Sequence, residues 1–307
     1  MAETMVRVSD EVELCVEDMG PADGPLVLLV MGLGLQLVWW RDDFCAELAG
    51  RGFRVVRYDH RDIGRSTPFQ GPVPSALGFL TRRAKTTYEL EDMADDAGLL
   101  IEALAPAEGG AHVVGVSLGS FVAQATAIRH PDRVRSLVSI MGRPGDRTTG
   151  KVAWRARPEF LRQGPRDFDG SVEHLVRTFH RIGSEGRTAE DDEDVRVAMR
   201  RSAGRERGDG TGAGRQLAAI LCERDRTEGL RRLDMPALVI HGLRDKVVLP
   251  SGGRATAEAI PEAELLEIER MGHDLARWTW PQVIDGIERT ASRQVEGRRP
   301  TQRGSST

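Results

Sequence analysis

Short apolar runs alternate with helical patterns along the first half of the chain, and this alternation limits the possible folds more than any other feature. The runs that predict strands are 12–16, 26–31, 53–58, 112–115 and 134–141. Helical spacing lies between them, most clearly in 90–104, where apolar residues recur every three or four positions. The strand runs are apolar on both faces, which is typical of a parallel sheet covered by helices on both sides. The sequence therefore predicts an α/β fold with a mostly parallel central sheet.

The alternation stops after residue 142 and resumes near residue 234 with the strand-like runs 237–241 and 265–268. In between, amphipathic helical stripes are the main pattern, and a glycine-rich stretch at 204–214 predicts a flexible connection. We expect residues 1–142 and 234–291 to form the core and residues 143–233 to form an inserted helical cap. The polar residues 292–307 predict a disordered tail.

Composition excludes several classes of protein. The net charge is −4 at pH 7, which offers no electrostatic basis for binding nucleic acid. The longest apolar run, Leu26–Met31, is far shorter than the roughly 20 residues of a membrane span, and no signal peptide is apparent, so we expect a cytoplasmic location. Three scattered cysteines predict neither a disulfide framework nor a cysteine-based zinc site. We expect no metal and no cofactor, and the oligomeric state stays open.

Gly115-Val116-Ser117-Leu118-Gly119 matches the pattern Gly-x-Ser-x-Gly between a predicted strand and a predicted helix. In this setting the serine stands on a tight turn, called a nucleophile elbow, where small flanking residues let the two backbones cross. The helix that follows directs free N–H groups toward developing negative charge. The pattern predicts Ser117 as a nucleophile.

A serine hydroxyl needs a base, and the base needs an acid to orient it. His273 lies in a loop after the last predicted strand, and we expect it to be the base. The other six histidines are predicted to pack in the core or to lie on the insertion; they are His60, His112, His130, His174, His180 and His241.

Asp245, in the loop after the strand at 237–241, is the predicted acid, which places the nucleophile, the acid and the base in that order along the chain. Asp146 is the rival, since it follows the strand that ends at Met141. Asp274 is a weaker candidate because adjacent side chains rarely hydrogen-bond in the required geometry.

An acyl-transfer site also needs two backbone donors for an oxyanion. One is expected from the residue after the nucleophile, Leu118. The second is expected from the glycine-containing loop after 26–31, where we choose the Leu33 N–H; a glycine-rich turn without a ligand is the alternative.

Three other motifs favour structural roles. The charged run 59–66 is expected to be a turn held together by its own charges rather than a metal site. The four acidic residues at 191–194 are expected to mark a solvated helix start. Residues 145–151 match most of a phosphate-binding loop, but Val152 replaces the required Ser or Thr, so nucleotide binding is not predicted.

Several stretches together resemble the α/β-hydrolase superfamily, and most closely its aclacinomycin methylesterase-like branch. They are LVMGLGLQLVWW, FRVVRYDHRDIGRST, LEDMADDAGLLIEAL, AHVVGVSLGS and VIHGLRDKVVLP, within residues 12–142 and 234–290. Met31-Gly32 stands where many superfamily members have His-Gly, a departure that this branch shares, and Ser120 stands where a third glycine is usual. The resemblance implies an α/β-hydrolase fold, ester hydrolysis, and the roles of nucleophile, acid and base for Ser117, Asp245 and His273.

The expected activity is hydrolysis of a carboxylic ester, such as a methyl ester or lactone of a hydrophobic, polyketide-like small molecule, through an acyl-enzyme. Two other functions stay open. One is a thioesterase or cyclase of natural-product biosynthesis, and the other is a ligand-binding, hydrolase-like protein with little turnover. A serine at the elbow excludes the epoxide hydrolases and haloalkane dehalogenases of this fold, which need an aspartate there.

Overall fold

The computed structural model describes residues 2–74, 84–105, 109–151, 165 and 167–293. Its centre is an eight-stranded sheet in the order β1-β2-β4-β3-β5-β6-β7-β8. The strands are β1 Thr4–Arg7, β2 Glu13–Met19, β3 Leu26–Val30, β4 Arg54–Tyr58, β5 Ala111–Val116, β6 Val134–Ile140, β7 Ala237–Gly242 and β8 Glu264–Ile268. β1 and β2 pair antiparallel with their neighbours and β3 to β8 are parallel, so the predicted mostly parallel sheet is confirmed.

Helices cover both faces of this sheet. The described helices are α1 Asp42–Gly50, α2 Leu90–Leu104, α3 Leu118–Arg129, α4 Phe168–Ile182, α5 Ala189–Ser202, α6 Gly212–Leu221, α7 Thr227–Leu230, α8 Pro250–Ala259 and α9 Trp280–Ser292. α2, α3 and α8 contribute to the hydrophobic core on one face, and α1 and α9 contribute to the core on the other.

β3 explains why the strand runs are apolar throughout. Leu28 and Val30 pack into the core under α2 and α3, whereas Val27 and Leu29 pack into the core under α1 and α9. Because successive side chains of a strand point to opposite faces, a strand with a helix layer on each side must be apolar at every position. All five residues of β3 are buried.

Between β6 and β7 the described residues contain the four helices α4 to α7 and no strand. This agrees with the pattern break, although residues 152–164 and 166 of the expected cap lie outside the described part. α6 begins at Gly212, so the predicted flexible connection ends in a helix. The division into core and cap stays a prediction, and residues 294–307 of the predicted tail also lie outside the described residues.

Buried ion pairs join these inserted helices to the loop after β4. Arg205, three residues after the end of α5, pairs with the fully buried Asp59 at 3.0 Å. Arg215 on α6 donates to both carboxylate oxygens of Asp62, at 2.5 and 2.8 Å. The charges of the 59–66 turn therefore bind the turn to the insertion as well as to itself.

Candidate active site

Ser117 occupies the sharp turn between β5 and α3. Its backbone has φ +54° and ψ −121°, a strained conformation for a residue with a side chain. The turn is possible because a Cβ on Gly115 would collide with the Gly119 carbonyl, and a Cβ on Gly119 would collide with the Val30 carbonyl. The Ser117 N–H donates to the Ile140 carbonyl of β6 at 3.0 Å, which fixes the turn to the sheet. The predicted elbow is present in this geometry.

His273 lies directly beside this serine. Its Nε2 is 2.9 Å from Ser117 Oγ, and its Nδ1 is 2.7 Å from Asp245 Oδ2. Since a carboxylate only accepts, the Nδ1–H donates to Asp245, which leaves Nε2 free to accept from the serine hydroxyl. The structure thus brings together the three side chains that sequence analysis selected.

Asp245 is held from both sides in the loop after β7. Its Oδ1 accepts the backbone N–H groups of Val247 and Val248 at 2.8 and 2.9 Å, so Oδ2 remains for His273. The Asp245 side chain is 0% exposed, whereas the His273 side chain is 11% exposed. The His241 Nε2–H donates to the Val248 carbonyl at 2.8 Å, and the ring packs against the same loop, as expected.

The two rival acids have other partners. Asp146 binds the backbone and hydroxyl groups of Thr148 and Thr149 in its own turn. Burial raises the pKa of Asp146, but these hydrogen bonds outweigh that effect and lower it to about 2. Asp274 accepts from Ser184 and Arg187 of the insertion. Neither carboxylate is a partner of the His273 ring among the described residues.

Five of the other six histidines have a ring contact within the described structure. His112 contacts Ser136 Oγ at 2.8 Å, and His60 contacts the Met31 carbonyl at 2.9 Å. Burial lowers the pKa of His60 and of His112 to about 4, so both rings are neutral near pH 7. His130 and His180 pair with the partly buried Asp95 and Asp192, and His174 lies on α4.

A cavity of about 370 Å³ opens over Ser117 and His273. Its wall is mainly apolar and comes from both the sheet edge and the inserted helices. The predicted amphipathic stripe of α4 supplies Leu175, Phe179 and Ile182 to this wall, and the loop after β3 supplies Gly32 and Leu33. Apolar walls with a few polar groups at one end are typical of small-molecule sites.

Of the two predicted oxyanion donors, Leu33 lines this cavity and Leu118 directly follows Ser117 at the start of α3. Leu118 is the first residue of α3, and the first N–H groups of a helix have no intrahelical acceptor. In the loop after β3, the Gly34 N–H is already bound by Gln216 Oε1 of α6 at 2.9 Å. The Leu33 N–H therefore stays the candidate second donor, and Leu33 lines the cavity together with Ser117.

Comparison with known proteins identifies the family of the chain. A sequence model described as the alpha/beta hydrolase fold matches residues 25–276. The chain belongs to the α/β-hydrolase family.

Two curated relatives of this α/β-hydrolase are rhodomycin D methylesterases. DauP of Streptomyces sp. (strain C5) is 31% identical over 294 residues, which cover 89% of this chain and 92% of DauP. DnrP of Streptomyces peucetius is 31% identical over 302 residues, with the same two coverages of 89% and 92%. The enol-lactonase structure from Burkholderia xenovorans LB400 has a TM-score of 0.65 at 24% identity, covers 93% of this chain and 100% of its own, and shows likeness of fold.

These relatives confirm the predicted resemblance to the methylesterase branch, and they confirm the prediction of an enzyme at the level of a carboxylic ester hydrolase. Among the described residues of this α/β-hydrolase, no group of three His, Cys, Asp or Glu side chains could hold a metal ion. No described helix is long and apolar enough to cross a membrane.

Sequence analysis missed polar residues at one end of the cavity of this α/β-hydrolase. Arg41 pairs with Asp194 of α5 at 3.0 Å, and Arg187 pairs with Asp274. The acidic run 191–194, expected to be a solvated helix start, does cap α5, but Asp191 and Asp194 also line the cavity. Their spacing is the signal that could have found them: Asp191 and Asp194 are three residues apart, which places both on one face of a helix.

Proposed function

We propose that this α/β-hydrolase cleaves a carboxylic ester through an acyl-enzyme formed on Ser117. The observation that supports this most directly is the chain of contacts from Ser117 Oγ to His273 Nε2 at 2.9 Å and from His273 Nδ1 to Asp245 Oδ2 at 2.7 Å. A weak nucleophile, a base and a buried carboxylate in this arrangement suit acyl transfer.

In the first half of the reaction, Ser117 Oγ attacks the ester carbonyl carbon while His273 Nε2 takes the hydroxyl proton. Asp245 keeps the ring in the tautomer that can accept this proton and stabilises the imidazolium that results. The carbonyl oxygen becomes an oxyanion, and the backbone N–H groups of Leu33 and Leu118 are the proposed donors to it. As the oxyanion collapses, His273 gives this proton to the departing alcohol.

In the second half, water replaces the alcohol. His273 takes a proton from water, the hydroxide attacks the acyl carbon, and collapse of the second oxyanion returns the proton to Ser117 Oγ. The products are a carboxylic acid and the free enzyme, so atoms and protons balance without a cofactor.

For the substrate, we propose a methyl ester or lactone of a hydrophobic, polyketide-like small molecule. The apolar cavity of about 370 Å³ supports this class, as does likeness to two rhodomycin D methylesterases over 89% of the chain. The described helices α4 and α5 of residues 143–233, the proposed cap, supply one wall of that cavity. The alternatives are a thioesterase or cyclase with the same nucleophile, and a binding protein with little turnover.

The test is active-site labelling followed by turnover. A fluorophosphonate should add one label to the native protein and none to Ser117→Ala, while the matched variant Ser251→Ala, on an exposed serine of α8, should label like the native protein. Ser117→Ala should also lose several orders of magnitude in kcat. Equal labelling of Ser117→Ala would disprove the nucleophile. Labelling without turnover of any methyl ester, lactone or thioester would favour the binding protein, and a thioester preference would favour the thioesterase.

A further inference from the structure

We infer that residues 182–187 of the insertion position the imidazole of His273, with Ser184 and Asp274 as the positioning residues. This inference rests on the proposed function, because it takes His273 to be the base. It adds a second task for the insertion: besides walling the cavity, the insertion holds one side of the loop that carries the base.

The backbone evidence begins at the base itself. The His273 N–H donates to the carbonyl of Ile182, the last residue of α4, at 2.9 Å. Three residues further along the insertion, the Glu185 N–H donates to the Arg270 carbonyl at 2.8 Å. The segment 182–185 and the loop 270–273 therefore pair through their main chains, although 85 or more residues separate them in sequence.

Ser184 adds side-chain bonds to this pairing. Its Oγ accepts the Gly272 N–H at 3.0 Å and donates to Asp274 Oδ1 at 2.5 Å. The Ser184 N–H donates to the same Asp274 oxygen at 2.7 Å. One hydroxyl thus contacts the residues immediately before and after His273. Ser184 is 6% exposed, so water replaces these bonds poorly when the hydroxyl is removed.

Asp274 completes the attachment through its second oxygen. Oδ2 pairs with Arg187, and both side chains are 5% exposed. Arg187 also donates to the Asp191 carbonyl at 3.1 Å and stacks over the Phe179 ring at 5.3 Å, so it is itself fixed by α4 and α5. This accounts for Asp274 standing beside the base without contacting its ring.

The segment 182–185 and the loop 270–273 approach so closely that neither has room for a side chain at its glycine. A Cβ on Gly272 would collide with the backbone of Gly183, and a Cβ on Gly183 would collide with Asp274. On its opposite side, the loop binds the core, because the Arg244 N–H donates to the Met271 carbonyl at 2.9 Å. The loop 270–273, here called the base loop, is therefore held between the loop after β7 that carries Asp245 and the insertion. Loss of the contacts on either side lets the imidazole of His273 move.

The experiment compares Ser184→Ala with the native full-length enzyme, using 4-nitrophenyl acetate and a fluorophosphonate as probes. Because proton transfer depends on the placement of His273, kcat and the labelling rate constant should fall together by about 10- to 100-fold, with KM within about two-fold. The acetyl group is small, so a change in the apolar wall should not alter these values. Asp274→Asn, which keeps the shape but weakens the bond to Arg187, should show a smaller loss of the same kind.

Two further variants separate positioning from general damage. Ser171→Ala removes another hydroxyl of the insertion, one that bonds only to the Pro165 carbonyl among the described residues, and should keep kcat within about two-fold. Ser184→Thr keeps the hydroxyl and should recover most of the lost rate. Thermal unfolding of each variant shows whether the protein is folded at the assay temperature.

The inference is wrong if Ser184→Ala and Asp274→Asn both keep native kcat and labelling rates. It is also wrong if their losses accompany unfolding at the assay temperature and Ser184→Thr recovers nothing, since that would be a purely structural effect. In either case native labelling at Ser117 leaves the proposed function intact. If native protein is not labelled at Ser117, the proposed function fails first, and this inference fails with it.

Discussion

At the scale of single residues, Asp245 has two separate uses for its two oxygens. Oδ1 is occupied by backbone N–H groups of its own loop, and Oδ2 faces the His273 ring. A carboxylate fixed in this way can orient an imidazole without rotating. This arrangement makes the acid testable by a substitution that preserves its shape.

Asp245→Asn should lower kcat by about 10⁴-fold, because an amide in place of Oδ2 can donate to Nδ1 and select the wrong tautomer of His273. Steady-state kinetics on a small ester measures the effect, and KM should change little. The matched variant Asp146→Asn removes the rival acid, whose partners are the threonines of its own turn, and should keep native kcat. A loss in Asp146→Asn equal to that in Asp245→Asn would contradict the assignment.

At the scale of elements, α6 is attached to the loop after β4 by a buried ion pair. Arg215 is 1% exposed and Asp62 is 0% exposed. Arg215→Met should lower the free energy of unfolding by about 3 kcal/mol or more, because it leaves the Asp62 carboxylate buried without its cation. Urea unfolding measures the change.

The control is Arg7→Met, since the pair of Arg7 with Glu13 is 62% and 37% exposed. An exposed pair contributes little, so this variant should stay within about 1 kcal/mol of the native protein. If the two arginine variants lose equal stability, burial of the Arg215 pair does not have the proposed effect.

The sequence predicted the elements of the sheet well because burial on both faces leaves a strong local signal. α2 was predicted at its observed bounds, and β3 to within one residue. β1 was missed, because a four-residue edge strand with mostly exposed side chains has no apolar alternation.

The residues of the candidate site likewise fall into those that a local motif predicts and those that no local pattern predicts. Ser117, Asp245 and His273 follow strands in short loops, where local motifs mark them. Ser184 and Arg187 carry no local signal, since their partner Asp274 lies about 90 residues away along the chain. Such contacts depend on how the inserted helices lie over the sheet, and one sequence does not encode that placement in any short pattern.

At the scale of the whole molecule, buried neutral histidines make stability depend on pH. Burial lowers the pKa of His60 and His112 to about 4 in the folded protein, against an ordinary value near 6.5 when unfolded. Below about pH 6.5 the unfolded chain takes up protons that the folded chain does not, so stability falls as pH falls toward 4. Between pH 7 and pH 5 each histidine should cost about 2 kcal/mol.

Urea unfolding at a series of pH values tests this. His112→Gln should show a shallower fall of unfolding free energy between pH 7 and pH 5 than the native protein does. Ser171→Ala, which removes a hydroxyl of α4 and no titratable group, should keep the native dependence. A native curve that is flat over this interval would rule out the effect.

The pairing of residues 182–187 with the base loop sets a boundary for redesign of this enzyme. Leu175 and Phe179 of α4 both face the cavity, but the Phe179 ring also lies under Arg187, the partner of Asp274. A library for new substrates should therefore vary Leu175 and keep Phe179. One turn later the same helix ends in the residues that hold His273. A foreign insertion grafted onto this sheet would therefore have to retain residues 182–187, including Gly183 and Ser184, or come with a matching base loop from the donor protein.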